Sequence, residues 1–335
     1  MVSGMHRSGT SAITRVLSLL GASLPLDIIE GRRDNERGFW EGRAVVDLDE
    51  SALVANDTWW GGWQAVDVGR LLDSEPLVKE ARQLIREEFS DGDLLVLKDP
   101  RVSRLLPLWK RAFDDEGFRC VHVVALRHPG AVAGSLERRN LLSPEVSTLS
   151  WLAHTLDAEL NTRGEPRVLV SFENLLRDWR GEMDRVSRAL EVAWPEDPDD
   201  AEDTVNEFIE PGLAHGTAEE ASGPVDSIAP IYDVLRRWAA DDPRPGDDAT
   251  LESWRDLLAP LRGPRSAVAV VARERLRVID EVRARGKWPG QFAAAKRWNP
   301  IQNQAINVEA ESAWAWLMRE LQHAGSGAAG PRQEA

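Results

Sequence analysis

The sequence predicts an α/β fold: a three-layer domain with a parallel central sheet, followed by a mostly helical C-terminal extension. Three observations predict it. A short apolar start runs through glycines into an amphipathic helix, compact apolar runs at 94–97, 121–126 and 168–171 suit buried parallel strands, and helical patterns separate those runs. Strands that alternate with helices imply right-handed crossovers and hence helices on both faces of one open sheet.

In order, residues 1–3 form the first strand. Only three residues precede Gly4, while a central strand usually takes about five, so the natural start is expected upstream. A helix over 11–20 follows, closed by Gly21, with Ile13, Val16, Leu17 and Leu20 on the face that packs on the sheet. The polar stretch GRRDNERGFWEGR leads to further helices and to the strand LLVL at 94–97; VHVVAL at 121–126 and VLVS at 168–171 complete the sheet. Beyond Gly212 strand signals stop, WPEDPDDAED and AADDPRPGDDA read as loops, and the rest is helical until GSGAAGPRQEA. The expected organisation is a nucleotide-binding domain at 1–215, a helical extension at 216–322 and a disordered tail at 323–335.

Composition excludes several classes. The net charge of −15 argues against a broad nucleic-acid surface, so an anionic ligand needs a local basic pocket, for which Arg7, Lys98, Arg101 and Arg127 are available. The single cysteine, Cys120, excludes a disulfide framework or thiolate cluster within the chain and reads as a small buried residue. No apolar run has the length of a membrane span and no signal-peptide pattern opens the chain, so a cytoplasmic location is expected. There is no zinc-spaced Cys/His set and no Gly-x-Ser-x-Gly elbow. Residues 265–298 reverse the overall sign, with nine basic and three acidic side chains; a solvated helix face or a helix closing over a ligand's phosphates both fit.

The chemistry begins in GMHRSGTS, Gly4 to Ser11. A strand turning through glycines into a helix aims backbone N–H groups and the positive helix end at one spot, which makes a phosphate cradle. Met5, His6, Arg7, Ser8, Gly9, Thr10 and Ser11 line it, with His6 contributing as a loop residue through its backbone. The spacing of Gly4 and Gly9 resembles the nucleotide-binding P-loop, but Thr10 stands where that motif has lysine, and the cation comes earlier, at Arg7. A second anion site is read at the end of the 121–126 strand, where Arg127 and, eight residues later, Ser135 can converge on one phosphate.

These segments resemble sulfotransferases. Arg7-Ser8-Gly9-Thr10-Ser11 is similar to their 5′-phosphosulfate loop, Arg127 with Ser135 to their 3′-phosphate pair, and VLVSFENLLRDW to their strand followed by Y-E-D-L, with Phe172 and Asn174 at the variant positions. RARGKWPG, at 283–290, faintly resembles their C-terminal nucleotide-covering loop. The resemblance, to the bacterial soluble type, covers about the first two-thirds of the chain. It implies a P-loop-like fold, 3′-phosphoadenosine-5′-phosphosulfate (PAPS) as donor, adenosine 3′,5′-bisphosphate as product, no required metal, and a small-molecule or glycan acceptor.

The implied reaction is in-line displacement at sulfur, which needs cations at the leaving group and a base on the acceptor. Arg7 and Lys98 are the cations. Lys98 lies where cytosolic relatives place a lysine followed two residues later by a histidine base; here that position is Pro100. A carboxylate is therefore favoured, Glu41 first and Asp99 next, with Glu36 also in reach; a surface role for Glu41 stays open. Trp59, Trp60 and Trp63 could form an acceptor platform, but with 14 tryptophans in the chain core packing is the simpler reading. His122 and His128 read as structural. Two other classes fit the same motifs: a P-loop kinase or NTPase using Ser11 and Asp99 around magnesium, and a non-catalytic scaffold of the same fold.

Overall fold

The computed structural model describes residues 1–31, 37–89, 92–209, 224–263 and 300–326. It is a mixed α/β protein, mostly helical, around a small parallel sheet. The sheet is built from β1 (Val2–Ser3), β2 (His122–Leu126) and β3 (Arg167–Ser171) in the order β1-β2-β3. Register places Val2 opposite Val123, and Val123 opposite Val168.

Residues 94–97, expected as a strand, are a partial one. They run beside the outer edge of β1, where Val2 donates to the Leu97 carbonyl at 2.9 Å, but pair only through the isolated bridges Val2 with Lys98 and Ser23 with Leu95. The physical reason is length: β1 holds two residues, too short a template for a continuous ladder.

Side chains alternate across β2 and β3 as strand geometry requires. Val123, Ala125, Val168 and Val170 join one core with α1 (Thr10–Leu19) and, further along the chain, α8 (Phe172–Arg177), α9 (Trp179–Leu190) and α10 (Pro198–Phe208). Val124, Leu126 and Leu169 face the other core. That side carries α6 (Pro129–Asn140), α7 (Pro144–Asn161), α12 (Ala229–Trp238), α13 (Asp247–Leu258) and α14 (Pro300–Ser326); short α11 (Pro224–Ser227) leads into it. The described part of the helical third thus shares a core with the sheet. A third core joins α2 (Arg43–Ala55), α3 (Val68–Leu72), α4 (Glu75–Glu88) and α5 (Val102–Asp115) beside the 94–98 segment.

The expected boundary at 215/216, the basic stretch 265–298 with RARGKWPG, and most of the expected tail lie outside the described residues. The tail's first four residues are helical, because α14 continues to Ser326. Cys120 is half-buried rather than enclosed, and burial pushes its thiol up to about 11. Among the described residues no helix is long and apolar enough to cross a membrane.

Candidate functional site

The turn from β1 into α1 is held by two glycines that admit no side chain. Gly4 has φ +137°, and a Cβ there would sit 2.6 Å from the Ala125 carbonyl oxygen; Gly9 has φ +88°, and its Cβ would sit 2.4 Å from the Phe172 ring. Arg7 between them also has positive φ, 70°, a conformation that costs a non-glycine residue and clusters at functional loops. Inside the turn, Ser8 donates its N–H to the Met5 carbonyl at 3.1 Å. Met5 is fully buried with its side chain in the core, so only its backbone lines the loop. Gly9 caps α1 without a side chain, and the first turn carries no acidic residue, so among the described residues no side chain caps the positive end of the helix.

Three distant segments converge on this loop. Arg7 donates from Nε to Ser135 Oγ on α6 at 2.8 Å, and Arg127, just past β2, donates to the Arg7 carbonyl at 3.1 Å. Arg127 also lies 4.7 Å over the Phe172 ring at the start of α8, and burial lowers its pKa against the opposing pull of Glu173. From the third segment Lys98, 1% exposed, donates to Ser11 Oγ at 3.0 Å, to the Phe39 carbonyl at 2.8 Å and to Glu41 Oε1 at 2.6 Å. The fold therefore brings Arg7, Ser11, Glu41, Lys98, Arg127 and Ser135 together around Gly4–Ser11, although they span well over a hundred residues of sequence. Ser8 and Thr10 are buried in the loop itself.

Asp99 and Arg101 form a different set. Both Asp99 oxygens are held by the Arg101 guanidinium, at 2.9 and 3.1 Å, and Arg101 also donates to Glu50 at 2.9 Å. Burial opposes the charge on Arg101, but Asp99, Glu41 and Asp49 outweigh it and raise its pKa. Arg101 is thus the centre of a buried ion-pair cluster, and Asp99, fully enclosed, is its counter-ion. Glu36 lies outside the described residues.

The three tryptophans are core residues: Trp59 and Trp63 are fully enclosed and Trp60 is buried. His128 caps α6 by accepting from Gly130 N–H at 3.1 Å, while His122 is enclosed within β2 with neither ring nitrogen hydrogen-bonded among the described residues.

Sequence reading passed over several side chains near the loop. His154 on α7 is fully buried, shares a hydrogen with Ser103 Oγ at 2.8 Å and bonds the Trp60 carbonyl at 2.9 Å; burial pushes its pKa down to about 3, so it is neutral. Asp49 accepts from Trp109 Nε1 at 2.7 Å, and burial, with Asp99 nearby, raises its carboxyl well above the ordinary value. Arg104 and Arg262 both grip Asp157, at 2.7 and 2.6 Å, which ties α5 and the end of the 259–262 turn to α7 under the tryptophan loop. Only periodicity could have flagged Asp49, Arg104, His154 and Asp157, since each is a polar residue on a largely buried helix face.

No family model, no curated protein and no solved structure matches this chain.

Proposed function

We propose that this protein is a sulfotransferase with a P-loop-like, three-layer fold, moving the sulfuryl group of PAPS to a hydroxyl or amine of a carbohydrate, glycolipid or natural-product acceptor. The observation that carries the reading is the convergence on one loop: Arg7 on Ser135 at 2.8 Å, Arg127 on the Arg7 carbonyl at 3.1 Å and Lys98 on Ser11 at 3.0 Å. An anion at the uncapped start of α1 meets N–H dipoles and cations already in position, the arrangement that stabilises a leaving phosphate. In this reading Arg127 and Ser135 hold the 3′-phosphate, while the loop backbone with Arg7 and Lys98 holds the phosphosulfate.

The acceptor oxygen forms the new bond to sulfur with its lone pair. The bond from sulfur to the bridging oxygen breaks, and its electron pair leaves with adenosine 3′,5′-bisphosphate. The acceptor proton goes to Glu41, whose other oxygen is anchored by Lys98 at 2.6 Å.

Calorimetry with adenosine 3′,5′-bisphosphate and with ATP-Mg²⁺ tests the reading. The bisphosphate should bind at micromolar levels and ATP more weakly, because ATP has no 3′-phosphate for Arg127 and Ser135. Tighter binding of ATP-Mg²⁺ replaces the reading with phosphoryl transfer; binding of neither leaves a scaffold.

A further inference from the structure

Trp40 stands between two groups that meet on Lys98. The Phe39 carbonyl before it accepts from the ammonium at 2.8 Å and from Ser11 Oγ at 3.2 Å, and the Glu41 carboxylate after it accepts from the same ammonium at 2.6 Å. Trp40 itself has φ +57° and is the bulkiest side chain held at positive φ among the described residues. For so large a residue this conformation is an outlier, and it persists only where the surroundings fix it.

A left-handed residue reverses the chain locally, so the carbonyl before it and the side chain after it can turn toward one point. Extended backbone through the same three residues spreads them, because its carbonyls lie along the chain's hydrogen-bonding plane and its side chains stand out of it. Glycine holds such a turn without strain, so the turn alone does not call for tryptophan. The ring does. The Arg15 guanidinium, from α1, lies 4.5 Å over it, and Gly38, at φ +96°, comes so close that a Cβ there would sit 3.2 Å from the indole. The indole Nε1 is closed to solvent and has no hydrogen bond among the described residues, so the ring is gripped through its face and by packing. Just beyond, the Glu41 carbonyl is tied to Ile29 N–H at 2.8 Å.

We propose that Trp40 is a positioning residue: its left-handed backbone aims Glu41 at Lys98 beside the start of α1, and its ring, gripped by Arg15 and Gly38, locks that turn. Its catalytic meaning rests on the sulfuryl-transfer reading, in which Glu41 is the base and Trp40 acts through that carboxylate.

Three replacements separate backbone from ring. Trp40→Phe keeps a ring for Arg15 and loses only an unbonded N–H, Trp40→Gly keeps the left-handed turn and loses the ring, and Trp40→Ala loses both. The full chain is given PAPS, with water or added glucose as the hydroxyl acceptor, and released adenosine 3′,5′-bisphosphate is measured. Turnover should rank Phe above Gly above Ala, with kcat within about twofold of wild type for Phe, down about tenfold or more for Ala, and donor KM within about twofold throughout. A second measurement needs no turnover. Lys98→Met, which lowers Tm by about 4 °C in the wild-type background, should lower it by half that or less in Trp40→Ala, or in Trp40→Gly should the alanine variant not fold, because the pair it breaks is already loosened. Alanine equal to or above glycine in kcat, a tenfold loss in Trp40→Phe, or the full Tm loss in both backgrounds overturns the inference. Wild-type protein that neither binds the bisphosphate nor releases it from PAPS overturns instead the reading beneath it, and the Tm comparison still decides the turn.

Discussion

Replacing Lys98 by methionine removes the ammonium that holds Glu41 at 2.6 Å, the Phe39 carbonyl at 2.8 Å and Ser11 Oγ at 3.0 Å; Ser11 and the Phe39 carbonyl keep each other at 3.2 Å, so Glu41 is the group left with an uncompensated charge. Lys98 is 1% exposed and Glu41 7%, so water replaces little of what is lost. Breaking a buried ion pair by deleting one partner costs about 3–5 kcal/mol. The residual exposure of Glu41 places this case at the lower end, about 3 kcal/mol. For 335 residues at ~2.1 cal/mol/K each, the unfolding entropy is about 0.7 kcal/mol/K, so Tm should fall by about 4 °C. Differential scanning calorimetry reads this directly. Removing both charges, in Lys98→Met with Glu41→Leu, should recover much of the loss, because no uncompensated charge remains. A single-variant loss below about 1 kcal/mol, or a double variant whose loss is the sum of the two singles, would refute the buried, coupled pair.

Four other outcomes are expected. Gly9→Ala must fit a Cβ 2.4 Å from the Phe172 ring at φ +88°, so calorimetry should show at least a tenfold loss of bisphosphate affinity, roughly 1.4 kcal/mol; Gly117→Ala, at φ +83° with nothing within 4 Å, should leave binding unchanged. Arg127→Ala should chiefly raise donor KM while Arg7→Ala chiefly lowers kcat; steady-state kinetics showing equal kcat losses at unchanged KM contradict the division between the two phosphates. Glu41→Gln should lower kcat about a hundredfold with bisphosphate affinity nearly unchanged, as loss of a general base requires, and normal turnover removes Glu41 from that role. His154, held neutral at about 3 in the fold against 6.5 for the ordinary value, takes up its proton only on unfolding, so stability is unaffected above pH 6.5 and falls below it. The slope is about 1.4 kcal/mol per pH unit between roughly 6 and 4, and urea titrations of His154→Gln should lose that share of the acid sensitivity.

Some of this protein was legible in its residues. The apolar runs of β2 and β3, Val123–Leu126 and Val168–Val170, marked buried parallel strands because a strand covered on both faces is mostly apolar. The glycines at 4 and 9 marked the turn into α1, since positive φ and close backbone approach exclude a Cβ there. Local chemistry was enough for each. Tertiary structure alone decided the rest. The apolar run at 94–97 became a partial strand because its neighbour β1 is only two residues long, a property of the partner and not of the run. Lys98 chose Glu41, 57 positions away, while the adjacent Asp99 went to Arg101; the residues themselves permitted either pairing. His6 left Nε2 buried without a hydrogen bond among the described residues while His154, of the same residue type, was satisfied on both nitrogens. The physical reason is common to all three. Propensity and periodicity act within a few residues along the chain, whereas an ion pair or hydrogen bond a few ångströms long between distant positions exists only once packing has fixed where each backbone lies.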